Sequence, residues 1–557
     1  MGEMEFAVAV YSRLKRSSAA CSSFLLSFSE DADMMRITNA MMTSNTKNNI
    51  NINKLNEDRL NTQIATGQVI SRPSEDPVVA IRALRLNTNL SQLTQYYKKN
   101  IPDAQAWLNV TETALKQTDQ IFTNIKENLT TGASDTNTAT DRQKILESLK
   151  GLRAELYSSG NADYAERTVF TDYRTQESLT FLETDKDLNW NYSIRETFDV
   201  KELDKMTHVS TYNPSTNPVA ETDVKQNEIS RIRLSYDNLN EANGSTIDLH
   251  YYDGATPQTQ TVTVMSIAGL TQYQIDNQIY NAIASDANKN NAFLIPETGE
   301  LLLGSEIAKK IEEGANKNGA GRAYLDYNKN QWQSGDLRPE HYFACAQDNQ
   351  VTGQKDYYNY DQKEDTTTHK LVPDTTKPNF QNKDMEVEIS FNQKITINTH
   401  ANEVYTHDIG RDIDELISVT QSVVDADEKV TALEKKLAAA SETEKAAIQK
   451  ELDAANKEYS LKKNQMQKMF SKALDTFEGY ADRNNLAIAN IGSMQQRLTI
   501  TKERVADQLQ SFKELADANI NAELTESSID FASAKLALEA AQMAAGKIAQ
   551  QTLLNYL

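Results

Sequence analysis

Proline is nearly missing from both ends of this chain. Of ten prolines in 557 residues, seven (Pro214, Pro218, Pro257, Pro296, Pro339, Pro373 and Pro378) fall between 214 and 378, and none follows Pro378. Glycine is scarce too, at 19 residues, so the pair stands below half its average usage, which excludes collagen-like and low-complexity classes. Since an interior proline costs a helix about 3 kcal/mol, the segment past 400 is free to be almost wholly helical. Two cysteines, Cys21 and Cys345, cannot build a disulfide framework and do not support a zinc site. Positive charge is short: the net charge of −21 makes the electrostatic term for nucleic acid or an acidic membrane repulsive. No run of about 18 apolar residues exists, so no membrane insertion is expected.

Catalytic signatures are absent as well. No GxGxxG or P-loop follows a strand, and neither HExxH nor GxSxG occurs. The six histidines (208, 250, 341, 369, 400, 407) are scattered. His400 and His407 are wrongly spaced for one helical face and read as solvated residues of a β-rich region. The stretch "GDLRPEHYFAC" gathers Asp336, Glu340, His341 and Cys345, but its glycine and proline mark an ordered loop, and no second motif supports an active site. The expectation is no enzyme, no cofactor and no metal.

What is present divides the chain. The stretch "AACSSFLLSFSEDADMM" lacks a small-residue cleavage site, so it is not a signal peptide. Residues 1–34 read as a disordered upstream leader, with translation starting at Met34 or Met35. Residues 36–66 form a weak, asparagine-rich helix with a loose stripe of Ile52, Leu55, Leu60 and Ile64. Helical spacing continues over 78–130 and 141–158. The middle alternates as strands do: Ile247, Leu249 and Tyr251 turn at Asp253-Gly254 into Val262 and Val264, and "MEVEISFNQKITIN" repeats the pattern. "RIRLSY" puts Ile232, Leu234 and Tyr236 on one face, and "GSEIAKKIEEG" interposes a helix. Past 410 the helices lengthen. A capping box Ser441-x-x-Glu444 starts a helix at 441, followed by a pair over roughly 466–517 and 525–555. The expected fold is mainly α with a β-rich insert. Its parts are an amino-terminal assembly helix (35–70), a helical bundle in two pieces (71–182 and 401–519), the insert (183–400) and a carboxyl-terminal assembly helix (520–557).

The sharpest pattern is at the end. Steps of four and three visit Ile520, Leu524, Ser527, Phe531, Ala534, Leu538, Ala541, Ala545, Ile548, Thr552 and Asn555, a heptad seam. Three of these eleven positions are alanine and three more are polar. A buried Leu, Ile or Phe gains roughly 1.5–3 kcal/mol and alanine only a fraction. One pairing through this seam is therefore marginal, and the helix needs many neighbours before its ordering is offset. Upstream, "ATGQVISRPSEDPVVAIRAL" breaks the helical run. Gly67 ends one helix, and either Ser74 or Asp76, the latter with Pro77 at the first helical position, starts the next. Arg72, Pro73, Ser74, Asp76 and Pro77 thus read as a joint between two helical layers.

"MRITNAMM" at 35–42 followed by "ISRPSEDPV" at 70–78 resembles the amino end of the flagellin superfamily, in its branch of FlgL-type hook-associated proteins (hook-associated protein 3), which join hook to filament. "LEAAQMAAGKIAQQTLLNYL" is similar to the flagellin-type carboxyl end. The Asn161, Arg167 and Phe170 pattern resembles the family's turn after the bundle, although Glu166 and Asp172 stand where glycine is common. The resemblance covers about 35–180 and 408–557. It implies paired terminal helices, a helical bundle and an outer variable insert. It also implies a self-assembling structural subunit outside the cell, whose partners are copies of itself, other hook-associated proteins and flagellin. Export through the flagellar type III channel, with a chaperone on the carboxyl-terminal seam, follows from the same resemblance. Filament flagellin is the nearest alternative, disfavoured by the Arg-Pro-Ser-x-Asp-Pro joint. A secreted adhesin or enzyme carried on 183–400 is another.

Overall fold

The computed structural model describes residues 39–134, 137–216, 219–253, 256–318, 323–360, 362–364, 371–374 and 383–554. The leader expected at 1–34, Gly254 and Asn555 lie outside them. Two compact units result: residues up to Ser91 together with those from Leu509 on, and Gln92–Gln508. Helices α1 (Asn39–Thr66), α2 (Pro77–Gln95), α3 (Ile101–Gly132) and α4 (Ala139–Gly160) precede a strand-rich centre, and α6 (His407–Ala439), α7 (Glu442–Ile520) and α8 (Leu524–Leu554) follow it. The chain is mainly helical around a β-rich insert, as expected.

Two helix boundaries differ from the expectation. The run over 78–130 is interrupted at Tyr96–Asn100 by a π turn. Pro102 explains it, because a proline has no N–H to donate and its ring clashes with the carbonyl four residues back. The break expected near 466 does not occur: α7 runs 79 residues without interruption. No proline lies within it, and its two glycines, Gly479 and Gly492, meet nothing that would force a bend. Its start is as expected, with the Glu444 carboxylate accepting from the Ser441 N–H at 3.2 Å and hydroxyl at 2.7 Å.

The larger unit is built on a helical core. Trp107, Leu108, Leu115, Phe122 and Ile125 of α3 are buried, as are Leu149 and Leu156 of α4, Ile413 of α6, and Phe470 and Phe477 of α7. The Asn484 amide donates to the Leu115 carbonyl at 2.9 Å. Side chains of this size contribute roughly 1.5–3 kcal/mol each, so this bundle has the apolar supply to fold within one chain.

The insert holds a ten-stranded sheet of β3 (Tyr192–Phe198), β4 (Leu203–Val209), β5 (Gln226–Arg233), β6 (Thr246–Asp253), β7 (Thr256–Val264), β8 (Ala292–Ile295), β9 (Glu300–Leu303), β10 (Ala323–Lys329), β11 (Ala344–Asn349) and β12 (Gln354–Tyr358). The spatial order is β12-β11-β3-β10-β6-β7-β8-β9-β5-β4. All its neighbours are antiparallel except β7 and β8. The β6–β7 hairpin forms in the register set by Asp253↔Thr256, with Leu249, Tyr251, Val262 and Val264 buried. Helix α5 (Ser305–Asn318) covers β6. A separate hairpin of β13 (Glu386–Ser390) and β14 (Gln393–Thr396) rests on the π turn, where the Tyr96 hydroxyl donates to Glu388 at 2.9 Å.

Alternation along β5 tethers the sheet to α6. Ile232 is buried on one side, whereas Arg231 and Arg233 project to the other. Arg231 binds Glu300 at 2.5 Å, Asp204 at 3.3 Å and Glu415; Arg233 binds Glu415 at 2.7 Å and Asp412. Because the guanidiniums are desolvated, each needs several acceptors to offset the cost.

The two histidines read as solvated are partly buried and partnered instead. His400 lies between Asp172 (2.7 Å) and Asp384 (3.1 Å), and His407 bonds the Ser235 hydroxyl at 2.7 Å. Burial alone would lower the His400 pKa, but the hydrogen bond and charge of Asp172 outweigh it and raise it. The turn after α4 supplies Asp172 to His400, whereas His407 is met by Ser235 just past β5, pairings distant in sequence that single-residue patterning did not show.

That turn explains the family-like positions. Asn161 accepts from the Leu179 and Thr180 amides at 2.9 and 3.2 Å. Arg167 lies over the Trp107 ring, 5.5 Å from its centroid, and Phe170 is buried edge-on to Tyr405 at 5.0 Å. Strands β1 (Asp163–Tyr164) and β2 (Arg167–Thr168) are joined by Ala165 and Glu166, with φ of 52° and 62°. Asp172 has φ of 55°. The left-handed conformation is thus kept without glycine. At Asp172 a compensation is visible, since its carboxylate accepts from Asn398 and holds His400. Glu166 is exposed and shows none. Because left-handed backbone costs a non-glycine residue roughly 1–2 kcal/mol, Glu166→Gly should raise the unfolding midpoint in denaturant. Asp172→Gly, which relieves the same strain but strips two hydrogen bonds, should lower it.

Candidate assembly surface

The smaller unit is built from the chain's two ends. Its helices α1 and α8 lie against each other. Gly67 and Ala522 mark one end of the contact, where the Ala522 N–H donates to Gly67 at 2.9 Å and the Val69 N–H donates to Ile520 at 2.8 Å. Farther along, the Asn53 amide reaches the Ala537 carbonyl at 3.4 Å. Since 53 precedes 67 whereas 537 follows 522, the two helices are antiparallel. Their breaks coincide, and a one-rung antiparallel bridge, Gln68↔Asn521, links them.

The break after α1 is built as the glycine requires. Gly67 has φ of 68°, a conformation that ends a helix at little cost only for glycine. The Gln63 amide turns back to the Val69 carbonyl at 2.6 Å. Next, Glu75 accepts from the Ser71 amide and hydroxyl, both at 2.9 Å, and the amide bond above all lowers its pKa. Of the two candidate caps, Asp76 is the one used: its Oδ1 accepts from the Val78 and Val79 amides at 2.9 and 3.1 Å. Pro77 occupies the first helical position, where its missing N–H is no loss. Arg72, Pro73, Ser74 and Pro77 are exposed and Asp76 is half-buried.

The carboxyl-terminal seam is brought largely to one face. Ser527 and Leu538 are buried, and Phe531, Ala534, Ala541 and Ala545 are half-buried, so these positions form the side of α8 shielded within the chain. Ile520 is half-buried at the end of α7, and Leu524 is exposed. Ile548 is helical. On α1, Thr46, Ile50, Asn53, Glu57, Leu60 and Ile64 form a shielded set also spaced by four and three, with Thr62 and Gln63 half-buried beside its last turn. This corrects the stripe expected from the sequence. Leu60 and Ile64 belong to it, but Ile52 and Leu55 are exposed. Half of the inward positions of α1 are polar, so counting apolar residues pointed to the wrong face.

A second stripe escaped sequence reasoning. Ile529, Leu536 and Met543 recur at intervals of seven on α8 and are 63%, 71% and 67% exposed. Met41, Met42, Ile52 and Leu55 on α1, Val78, Ile81 and Leu84 on α2, and Leu515 and Leu524 are exposed as well. The regular interval of seven was the available signal, hidden because the alternating seam absorbed the helix's periodicity. Among the described residues of this unit, the large apolar side chains that are buried are Leu60, Leu509 and Leu538. Exposed apolar groups outnumber buried ones, the reverse of an ordinary monomeric domain. The arrangement can do one thing well: receive further helices.

A family model described as the bacterial flagellin N-terminal helical region matches residues 37–175. Residues 37–175 are thus similar to the amino-terminal helical region of bacterial flagellins. This flagellin-type region takes in α1, the break at 67–76, α2, α3, α4 and the turn that follows. Flagellar hook-associated protein 3 of Salmonella typhimurium is 27% identical over 143 residues, 26% of this chain and 45% of that protein. Flagellar hook-associated protein 3 of Escherichia coli is 25% identical over 198 residues, 35% of this chain and 62% of that one. The chain therefore spans less than two thirds of either relative. Among solved structures, FlgL of Xanthomonas campestris covers 78% of this chain and 99% of its own, at 11% identity and a TM-score of 0.29.

The two faces of α8 separate by mutation. Leu538→Asp, which places a charge against α1, should remove whatever helical signal the marginal terminal pair shows in circular dichroism of the free chain. Leu536→Asp, at an exposed site, should shift the thermal unfolding of the free chain by no more than about 0.5 kcal/mol.

Proposed function

We propose that this chain is a non-catalytic structural subunit of the bacterial flagellum that assembles with copies of itself at the junction of hook and filament. The observation that carries the reading is the uncovered apolar surface of the paired terminal helices, on a chain whose amino-terminal region is flagellin-type. The hook-associated relatives support the junction in preference to the filament. In this reading Ile520, Phe531, Ala534, Leu538, Ala541 and Ala545 hold the terminal pair together, and Leu524 with the exposed stripe of α8 meets the neighbouring subunit. Arg72, Pro73, Ser74, Asp76 and Pro77 form the joint between assembly helices (35–70 and 520–557) and bundle (71–182 and 401–519). The insert 183–400 faces solvent. Other hook-associated proteins and flagellin are the neighbours. Export of the unfolded chain by the flagellar type III channel, with a chaperone on the carboxyl-terminal seam, belongs to the same proposal.

Electron microscopy of flagella labelled at the insert tests it. A single narrow band of label is the predicted result, and deletion of the gene should leave hooks intact while filament subunits escape into the medium. Label along the whole shaft would mean filament flagellin and overturn the junction role.

A further inference from the structure

The turn after β2 and the loop before β11 run side by side within the larger unit. The Phe181 N–H donates to Asp336 at 2.8 Å, Gly335 to Phe181 at 2.9 Å and Arg338 to Leu179 at 3.0 Å. This short ladder fixes Glu177 on one segment against Glu340 and His341 on the other. One oxygen of each carboxylate and one ring nitrogen of His341 converge, all within 4.8 Å of one another.

Three features make this more than an acidic cluster. First, Glu340 is only 3% exposed, and its Oε2 has no hydrogen-bond partner; neither has the buried Oε2 of Glu177. A buried acceptor left in that state costs about 1–3 kcal/mol, and more when charged. Second, the nearby guanidiniums are committed elsewhere. Arg174 donates to the Glu340 main-chain carbonyl and to Asn359, and Arg338 to Asp185 and Asp187 at 2.7 Å each and to the other Glu340 oxygen at 3.2 Å. Third, His341 Nε2 lies 3.1 Å from the Ser178 carbonyl. A carbonyl only accepts, so Nε2 carries the hydrogen and Nδ1 is left with the lone pair, the outer-shell arrangement typical of a ligating histidine.

We propose that Glu177, Glu340 and His341 form a binding site for a divalent first-row cation of the zinc type, which ties the turn after β2 to the loop before β11. One imidazole and two carboxylates suit zinc better than calcium, which takes six to eight oxygens. Tetrahedral ligands about 2.0–2.2 Å from zinc stand roughly 3.4 Å apart, so side-chain rotation closes the site, with water as fourth ligand. The Cys345 thiol is not among the converging atoms. A proton shared by the two carboxylates would relieve their repulsion without the imidazole, and this is the competing arrangement.

The test uses the full chain, stripped with chelator, dialysed against Zn2+ and desalted. One bound equivalent by atomic emission, a higher melting temperature and reversal by chelator are expected. Co2+ in place of Zn2+ should give visible bands without thiolate charge transfer. Glu177→Gln and His341→Gln should each weaken Zn2+ binding by at least about tenfold. Because Glu177→Gln removes one of two facing charges, its metal-free melting temperature should not fall below that of the metal-free wild type, which separates lost ligation from lost folding. No bound zinc, unchanged binding in both variants, or a thiolate signature would each overturn the site. So would a Glu177→Gln chain that melts higher than a wild type unable to bind zinc, since that is the shared proton.

Discussion

Burial of apolar surface is the constraint on which this molecule turns, because its two units are supplied with it so unequally. The bundle encloses Trp107, Phe122, Phe470 and Phe477 along with many leucines and isoleucines. The terminal pair, 28 residues of α1 and 31 of α8, encloses Leu60 and Leu538 as its large apolar groups among the described residues. Ordering each residue costs on the order of 1–2 kcal/mol, and helical hydrogen bonds alone sustain isolated helices poorly in water. Covering the exposed side chains of this unit would gain on the order of 20 kcal/mol at roughly 1.5–3 each, more than the net stability of a typical domain. The energy that would hold the ends in place therefore lies on surfaces the single chain does not cover.

Other features are consistent with that division. The coincident breaks at Gly67 and Asn521 keep α1 and α8 in register through two main-chain hydrogen bonds that need no apolar supply. In the larger unit, the arginines of β5 fix the sheet to α6 by charge, in a place where several acceptors surround each guanidinium. The insert thus depends on the bundle for its attachment and on its own alternating strands for its core.

Much of this was legible from the residues. Proline placement separated helix from sheet, Asp253-Gly254 located a hairpin, and Ser441 with Glu444 marked a helix start. The seam at Phe531 and Leu538 was readable because heptad spacing survives even when alanine fills its positions. Other features were not legible for stated physical reasons. The helical spacing over 78–130 carries no sign of the π turn, because apolar periodicity does not register the missing N–H of Pro102. The inward face of α1 could not be found by hydrophobicity when Thr46, Asn53 and Glu57 occupy it. Glu166 and Asp172 hide a left-handed turn because neither is glycine. The convergence of Glu177 with Glu340 and His341 joins residues more than 160 positions apart, a distance over which periodicity carries no information.

Hydrogen exchange along the chain, in the dilute free molecule and again after assembly, tests the central claim most directly. The account predicts that amides of 39–66 and 524–554 exchange quickly in the free chain and become strongly protected on assembly, while α3, α4 and α7 up to Gln508 are protected in both. Strong protection of both terminal helices in the free chain would contradict it.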